Sequence, residues 1–407
     1  MNAKVDIAEV VSRLIDCTIE GFDLRRITEI YRGTEKRGTS VLKTSAEDYS
    51  AAMRELHSEE KTVFNSYALI TFEVDVADFI APFVRSKTKP DVKKVRGFLN
   101  GLKGAQFVRY DAFRPIRGLR ITEGKVPPVV LGPFTIFDSL RHMQELDRAM
   151  YNRFDSMGGN VAPYMVHAHV DARDSGKALE LTDEMFERFE RILRYMLAHD
   201  TDAEVSILNR IDERTREACL FDSAGNGTYS TERNVRKLVD IDSVFFIEPK
   251  HGHDKIWRLL SSASNSEMGT RLLLAVEWIG QSFAERVPSS AFLKAAIAVE
   301  ILFTPEQGFI TPSIASQISE SVAMVLGTDV ASRFALEKEV KDLYKIRSGV
   351  AHSGKADVHR EHLERMQDIA CQLVTKVLTL PSLTSVPTSV ELQKVLKIMK
   401  YGCPAIT

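Results

Sequence analysis

"AFLKAAIAVEILF", residues 291–303, is a run in which only Lys294 and Glu300 carry a charge. A helix that is apolar on all sides belongs in the interior of a protein. The stretch therefore predicts a buried helix over 288–303, within a larger helical domain. Glu300 needs a cationic partner in such a place, because an unpaired buried charge costs several kcal/mol.

The segments on either side of this helix show helical periodicity and no strand signal. Short loops between them indicate antiparallel neighbours in a bundle of five helices. The small polar stretch "SSASNS" (261–266) marks the start of this domain, and "LPSLTSVPTS" (380–389) ends it. The other predicted helices lie at 267–284, 312–326, 330–347 and 356–379, and an amphipathic helix at 390–400 forms a tail.

The amino-terminal part mixes helix and strand patterns. Thr182 is the expected N-cap of a helix over 183–198. Further helices are predicted at 5–16 and 139–153, and strands at 66–74, 105–113, 129–137 and 243–249. The predicted fold class is therefore α+β: a mixed α/β sensor, regulatory or RNA-recruiting region over 1–255, an all-α bundle over 262–380 and a tail with a short helix over 381–407.

The composition is that of a globular protein: 407 residues, 44% hydrophobic and 27% charged, with a formal net charge of −2. The four cysteines stand far apart without metal-ligand or CxxC spacing, so reduced thiols are expected. The first residues lack the apolar core of a signal peptide, and no uncharged apolar run of about 18 residues is present. A cytoplasmic protein without membrane contact is predicted.

An arginine and a histidine flank the predicted corner between the last two bundle helices. Arg347 lies eleven residues after Leu336, about 20° from the apolar stripe of its helix, and His352 lies eleven residues before Leu363. Both side chains are thus expected to point into the seam between the helices. Glu300 is the predicted partner of Arg347, and Glu277 in "RLLLAVEWIG" is the competing candidate.

The stretch "LYKIRSGVAHSG" (343–354), in an all-α bundle with a glutamate on an earlier helix, resembles the HEPN superfamily, and most of all its Apea-like branch in prokaryotic phage defence. The resemblance covers about 265–380. It implies a metal-independent endoribonuclease without a cofactor, a toxin-like hydrolase of abortive infection. It also implies a homodimer in which Arg347 binds phosphate, His352 acts as acid and base, and Ser348 and Glu300 support them.

Two departures from the family pattern stand in this sequence. Many catalytic members carry Asn, Asp or His directly after the arginine, where this chain has Ser348, and the His-x-Tyr variant is absent because position 354 is glycine. The alternative is an inactive dimerisation or adaptor protein that binds nucleic acid or protein. In that case Arg347 would cap its own helix end, and His352 would be a satisfied core histidine.

Twelve basic residues and three acidic ones lie between Arg85 and Lys125. With Phe98, Phe107, Tyr110 and Phe113 among them, a sheet face that follows an RNA backbone is one interpretation, and a solvated basic surface is the other. The candidate RNA-binding residues are Lys93, Lys94, Arg96, Lys103 and Arg109. A phage-derived or host trigger would act through this amino-terminal region.

"HAHVD" places His167, His169 and Asp171 on one side of a strand, as in some metal hydrolases. Because no further ligand cluster follows, a metal site is only a minor alternative. The glycine-rich stretches at 156–160 and 222–228 lack the lysine of a phosphate-binding loop and are read as turns.

Overall fold

The computed structural model describes residues 6–21, 38–59, 61–122, 128–142, 163–198, 200, 202–208, 215–221, 227–233, 237–304, 314–353 and 358–401, with the backbone alone for 215–221, 227–233, 314 and 352–353. The chain divides into two compact units. The first comprises Met1–Ala112 and His169–Glu184, and the second comprises Phe113–Ala168 and Met185–Thr407. The predicted division at 255–262 falls inside the second unit and stays a prediction.

The first unit is built on an amino-terminal helix that the sequence predicted. Helix α1 (Ile7–Asp16) begins at Asp6, whose carboxylate accepts a hydrogen bond from the amide of Ala8. Two short strands pair antiparallel after it, β1 (Thr18–Glu20) with β2 (Thr39–Val41). The core is filled by Leu14, Tyr49 and Phe72 among others. The remaining helices are α2 (Ala46–Glu59), α3 (Lys61–Ser66), α4 (Leu69–Ser86) and α5 (Val92–Gly104).

The strands expected at 105–113 and 129–137 are confirmed. Strand β3 is Val108–Pro115, and the second segment forms the hairpin β5 (Val129–Leu131) and β6 (Phe134–Asp138), which turns at Gly132 with a positive φ of 58°. With β7 (Tyr164–Ala172) they form a sheet of order β3-β7-β6-β5. Smaller pairs are β4 (Leu119–Arg120) with β10 (Val239–Asp240), and the hairpin β8 (Thr215–Phe221) with β9 (Gly227–Arg233).

Helix α6 (Ser175–Leu197) starts earlier than predicted. Asp174, not Thr182, caps it, because the Asp174 carboxylate accepts hydrogen bonds from the Lys177 amide at 2.9 Å and the Ala68 amide at 3.1 Å. Thr182 lies within the helix, where its hydroxyl donates to the Ala178 carbonyl at 2.9 Å. A threonine followed by acidic residues resembles an N-cap, but its hydroxyl is equally satisfied inside a helix.

The second unit carries the helices that the apolar patterns predicted. Helix α9 (Pro288–Phe303), the quoted run, packs against α8 (Glu267–Ala284), α11 (Val330–Ser353) and α12 (Arg360–Thr379). It starts at Pro288, which is preorganised for the first helical position. The other helices are α7 (His253–Ser261), α10 (Ile314–Leu326), α13 (Pro381–Thr384) and α14 (Ser389–Lys400). The predicted class, α+β with a helical carboxy-terminal part, is confirmed.

Three further local predictions are wrong. Residues 66–74 form the end of α3 and the start of α4, because Phe72, Val76 and Ile80 recur at helical spacing and face the core. Residues 243–249 form short 3-10 helices, the first capped by Ser243 on the Phe245 amide. Helix α11 continues to Ser353, so the expected corner at 347–352 is a helix. The helix expected at 139–153 lies mostly outside the described residues.

Within the described ranges, no helix combines the length and the apolar character that crossing a lipid bilayer requires.

Candidate functional site

Helix α11 carries the candidate arginine, and its start is fixed by a reciprocal cap. Asp329 accepts a hydrogen bond from the Ser332 amide at 2.9 Å, and the Asp329 amide donates to the Ser332 hydroxyl at 3.0 Å. Val340 and Leu343 then face the bundle core. Arg347 follows Val340 by seven residues and Leu343 by four, so it lies on the same side of the helix.

The predicted pairing of Arg347 with Glu300 is present. The arginine Nε lies 2.9 Å from Oε1 of Glu300, and Nη2 donates a hydrogen bond of 3.1 Å to Oε2. Nε lacks hydrogen-bond geometry, so its contact is electrostatic. The side chains are 31% and 20% exposed, so the pair is partly accessible to solvent, although Nε of Arg347 is buried. The pair joins α11 to the last turn of α9.

Tyr344 lies one turn before Arg347 and closes the buried side of the pair. Its hydroxyl is 3.5 Å from the Ala296 carbonyl, at the limit of a hydrogen bond. Burial raises the pKa of Tyr344 well above its usual value, and the charge of Glu300 acts in the same direction. The buried tyrosine therefore stays neutral beside the ion pair. Sequence reasoning assigned it no role, although its spacing from Arg347 puts it on the same face.

The competing candidate, Glu277, has other partners. Arg188 Nε lies 2.7 Å from its Oε1, and Arg191 Nη1 lies 3.4 Å from its Oε2. Glu277 is buried, and two arginines on α6 compensate its charge. Glu300 is thus the partner of Arg347, as predicted.

Arg347, Ser348 and His352 share one continuous helix rather than flanking a corner. At 3.6 residues per turn, positions 347 and 352 are about 140° apart around the axis and about 7.5 Å apart along it. Ser348 is exposed, and position 352 follows it by one turn on the same face. The side chain of His352 lies outside the described part of the structure. The expectation that both side chains point into one seam therefore stays a prediction for His352, whose position on the helix is about 140° from that of Arg347.

The candidate RNA-binding residues lie mainly on a helix and not on a sheet face. Lys93, Lys94, Arg96 and Lys103 belong to α5, and Arg109 belongs to β3. All except Lys103 are exposed. Arg109 lies 4.0 Å from Asp111, a loose pair between two half-exposed side chains. The five residues are close in sequence within the first unit, and four of them share helix α5.

The histidine-rich strand is β7, as predicted, with Asp171 and His169 exposed. The ring of His167 lies 4.6 Å from that of Phe113, which is an aromatic packing contact. Among the described residues, no group of three histidine, cysteine or carboxylate side chains is placed to hold a metal ion.

A comparison with the models of known protein families gives no match, and comparisons with curated proteins and with solved structures give none either. The interpretation of the site therefore depends on the residues themselves.

Proposed function

We propose that this protein is a metal-independent endoribonuclease of HEPN type that cleaves RNA at a site built by two copies of the chain. The observation that carries the proposal is the Arg347–Glu300 pair: a partly exposed arginine, held by a carboxylate from a mostly apolar helix whose only other charged residue is Lys294. Desolvating two charges at the edge of an apolar core costs free energy. We infer that the pair is present because it serves a function.

The chemistry needs no group beyond the chain and its substrate. The 2′-hydroxyl of a ribose attacks the neighbouring phosphate and displaces the 5′-oxygen of the next nucleotide. A neutral His352 takes the proton of the 2′-hydroxyl near pH 7, and an imidazolium returns one to the leaving oxygen. Arg347 binds the doubly negative phosphorane, and Glu300 fixes the plane of its guanidinium. Ser348, which is exposed, donates a further hydrogen bond to the phosphate.

The positions of the residues favour a composite site. Because positions 347 and 352 of one α11 are about 140° apart, one helix does not present both to a single phosphate with ease. Two copies of the chain, related by a two-fold axis, bring the arginine of one and the histidine of the other together. The proposal therefore includes a homodimer. In line with the resemblance to the Apea-like branch, it also includes cytoplasmic action in phage defence and a phage-derived or host trigger sensed by the amino-terminal region.

The same separation also favours a second candidate, a non-enzymatic adaptor. In that case the Arg347–Glu300 pair only ties α11 to α9, and the bundle serves dimerisation while the first unit binds nucleic acid or protein. The two candidates differ in what happens to RNA when the dimer is present.

The test compares total cellular RNA and growth after expression of the wild type, Arg347→Ala and His352→Ala. Arg365→Ala is the matched control for the arginine. Arg365, on α12, donates two hydrogen bonds of 2.8 Å to Glu339, which lies on α11 before Arg347. His359→Ala, an exposed histidine before α12, is the control for the imidazole. We expect chelator-insensitive RNA fragmentation by the wild type and both controls only. A dimeric wild-type protein that leaves RNA intact would establish the adaptor.

A further inference from the structure

Helix α5 presents a cationic face that the core of the first unit does not use. Its apolar side is Val95 and Leu99, which are buried. Lys93, Lys94 and Arg96 lie around this apolar side and are exposed, and Lys93 and Arg96, three residues apart, are neighbours on the helix surface. Lysines and arginines on one exposed face attract a polyanion by charge alone.

Little of this charge is neutralised within the unit. Between residues 85 and 96 the chain has six basic side chains and one acidic side chain, Asp91. Lys89 pairs with Asp16 at 2.6 Å, and the ammonium of Lys94 lies 5.7 Å from the centre of the Phe83 ring. Lys93 and Arg96 have no ion pair among the described residues. Both are therefore available to a ligand.

Two glycines, Gly97 and Gly101, follow these cations along the helix, which they weaken. A Cβ added at Gly97 or Gly101 would meet no atom within 4 Å, so neither glycine is required by packing inside the unit. Glycine in a helix interior is less stable than alanine. The bare surface lets the backbone of a ligand approach the helix more closely than any side chain would allow.

An exposed aromatic ring stands three residues after the end of α5. Phe107 is 57% exposed, and the guanidinium of Arg173 lies 4.6 Å from the centre of its ring. Arg173 is itself fixed, because it donates hydrogen bonds of 2.7 Å to the Lys103 carbonyl, 2.9 Å to the Ala105 carbonyl and 2.7 Å to the Ser66 hydroxyl. A ring supported in this way is a preformed stacking platform.

We propose that the first unit binds single-stranded nucleic acid, with its phosphates along Lys93 and Arg96 over the open glycines and a base stacked on Phe107. Cations that follow the backbone, together with an aromatic side chain for a base, are the two elements of sequence-tolerant single-strand binding. A duplex keeps its bases stacked inside, so it gains nothing from Phe107. The inference deepens the proposed RNA-directed function by naming the form of the substrate and how it is held.

The full-length protein is titrated against a fluorescein-labelled single-stranded DNA 20-mer, and binding is followed by anisotropy at several salt concentrations. DNA lacks the 2′-hydroxyl, so it cannot be cleaved by the proposed chemistry, and binding is measured whether or not the nuclease proposal holds. We expect the double variant K93E/R96E to weaken binding about tenfold or more and to flatten the salt dependence.

The matched control is K394E/K397E, which reverses two exposed lysines at the same spacing on α14. It should bind within about twofold of the wild type. Phe107→Ala should weaken binding about fivefold or more, and Phe107→Trp should restore it. Gly101→Ala should raise the midpoint of thermal unfolding and yet weaken binding, an opposition that a purely structural glycine would not produce.

Equal weakening by K93E/R96E and K394E/K397E would overturn the proposal, because binding would then follow net charge and not this surface. Binding of the duplex 20-mer as tight as that of the single strand, with no effect of Phe107→Ala, would also overturn it. A third arm uses vesicles of phosphatidylserine and phosphatidylcholine. If only the vesicles bind, and the K93E/R96E variant loses them, the surface is a membrane contact and the inference is wrong.

Discussion

Replacing Glu300 by glutamine removes the negative partner of Arg347 and keeps the shape of the side chain. At 2.9 Å and an effective dielectric constant of about 20, the attraction between the two charges is about 6 kcal/mol. Desolvation and the ordering of two long side chains oppose most of it. Since Arg347 remains about a third exposed, we expect a net coupling of about 1–2 kcal/mol.

A double-mutant cycle measures this coupling. The wild type, E300Q, R347Q and the double variant are unfolded in urea, and tryptophan fluorescence is recorded. Both tryptophans, Trp257 and Trp278, lie in the second unit, as does the ion pair, so the signal reports on the right part of the chain. Because the pair is partly exposed, its coupling should fall when the salt concentration is raised from 0.1 to about 1 M.

The control cycle is E339Q with R365Q. This pair has two hydrogen bonds of 2.8 Å and side chains that are 39% and 34% exposed, so its coupling should be similar, about 1 kcal/mol. Only the Arg347 variants should abolish RNA cleavage. A coupling below about 0.3 kcal/mol for Glu300 and Arg347 would refute the energetic reasoning. Equal loss of cleavage in R365Q would show that stability, and not chemistry, is affected.

Four further variants test the fold. Burial lowers the pKa of His253, so the folded state resists protonation of this side chain. The free energy of unfolding should therefore fall as the pH drops below about 6.5. His253→Gln should flatten this fall in urea unfolding, and an unchanged pH dependence would contradict the reasoning. Gly280→Ala should lower the free energy of unfolding by about 3 kcal/mol, because the new Cβ would lie 2.0 Å from the Arg191 carbonyl oxygen. Gly101→Ala should raise it by about 0.5–1 kcal/mol, because a Cβ there meets no atom. Similar effects at both sites would contradict this packing. Asp174→Ala should lower the free energy of unfolding by about 2–3 kcal/mol, since the amides of Lys177 and Ala68 both lose their hydrogen-bond acceptor. A decrease under about 0.5 kcal/mol would show that Asp174 does not stabilise the start of α6.

The helices of the second unit could be predicted because their signals are local. The run at 291–303 has apolar residues on every side, and the boundaries predicted at 267–284 and 288–303 are those of α8 and α9. Local signals failed where two structures share one pattern. Residues 66–74 are rich in β-branched and aromatic residues, which are typical of strands. They are nevertheless part of helical segments, because Phe72, Val76 and Ile80 are buried at i and i+4 spacing. The Arg347–Glu300 pair was predictable because few other partners suit a glutamate in an apolar helix.

The sequence alone determined most helical segments of the carboxy-terminal part, which helix is buried and that one of two glutamates would meet Arg347, because burial and charge compensation depend on residue type and spacing. The structure decided for Glu300, since Glu277 already pairs with Arg188 and Arg191. Only the tertiary structure decided that α11 runs unbroken through Arg347 and position 352. No proline or cap ends the helix at Arg347. Small residues such as Ser348 and Gly349 are tolerated in a helix when packing supports it. It also decided that Arg173, distant in sequence, lies over Phe107. Contacts of that range arise from how the elements pack, and no local pattern encodes them.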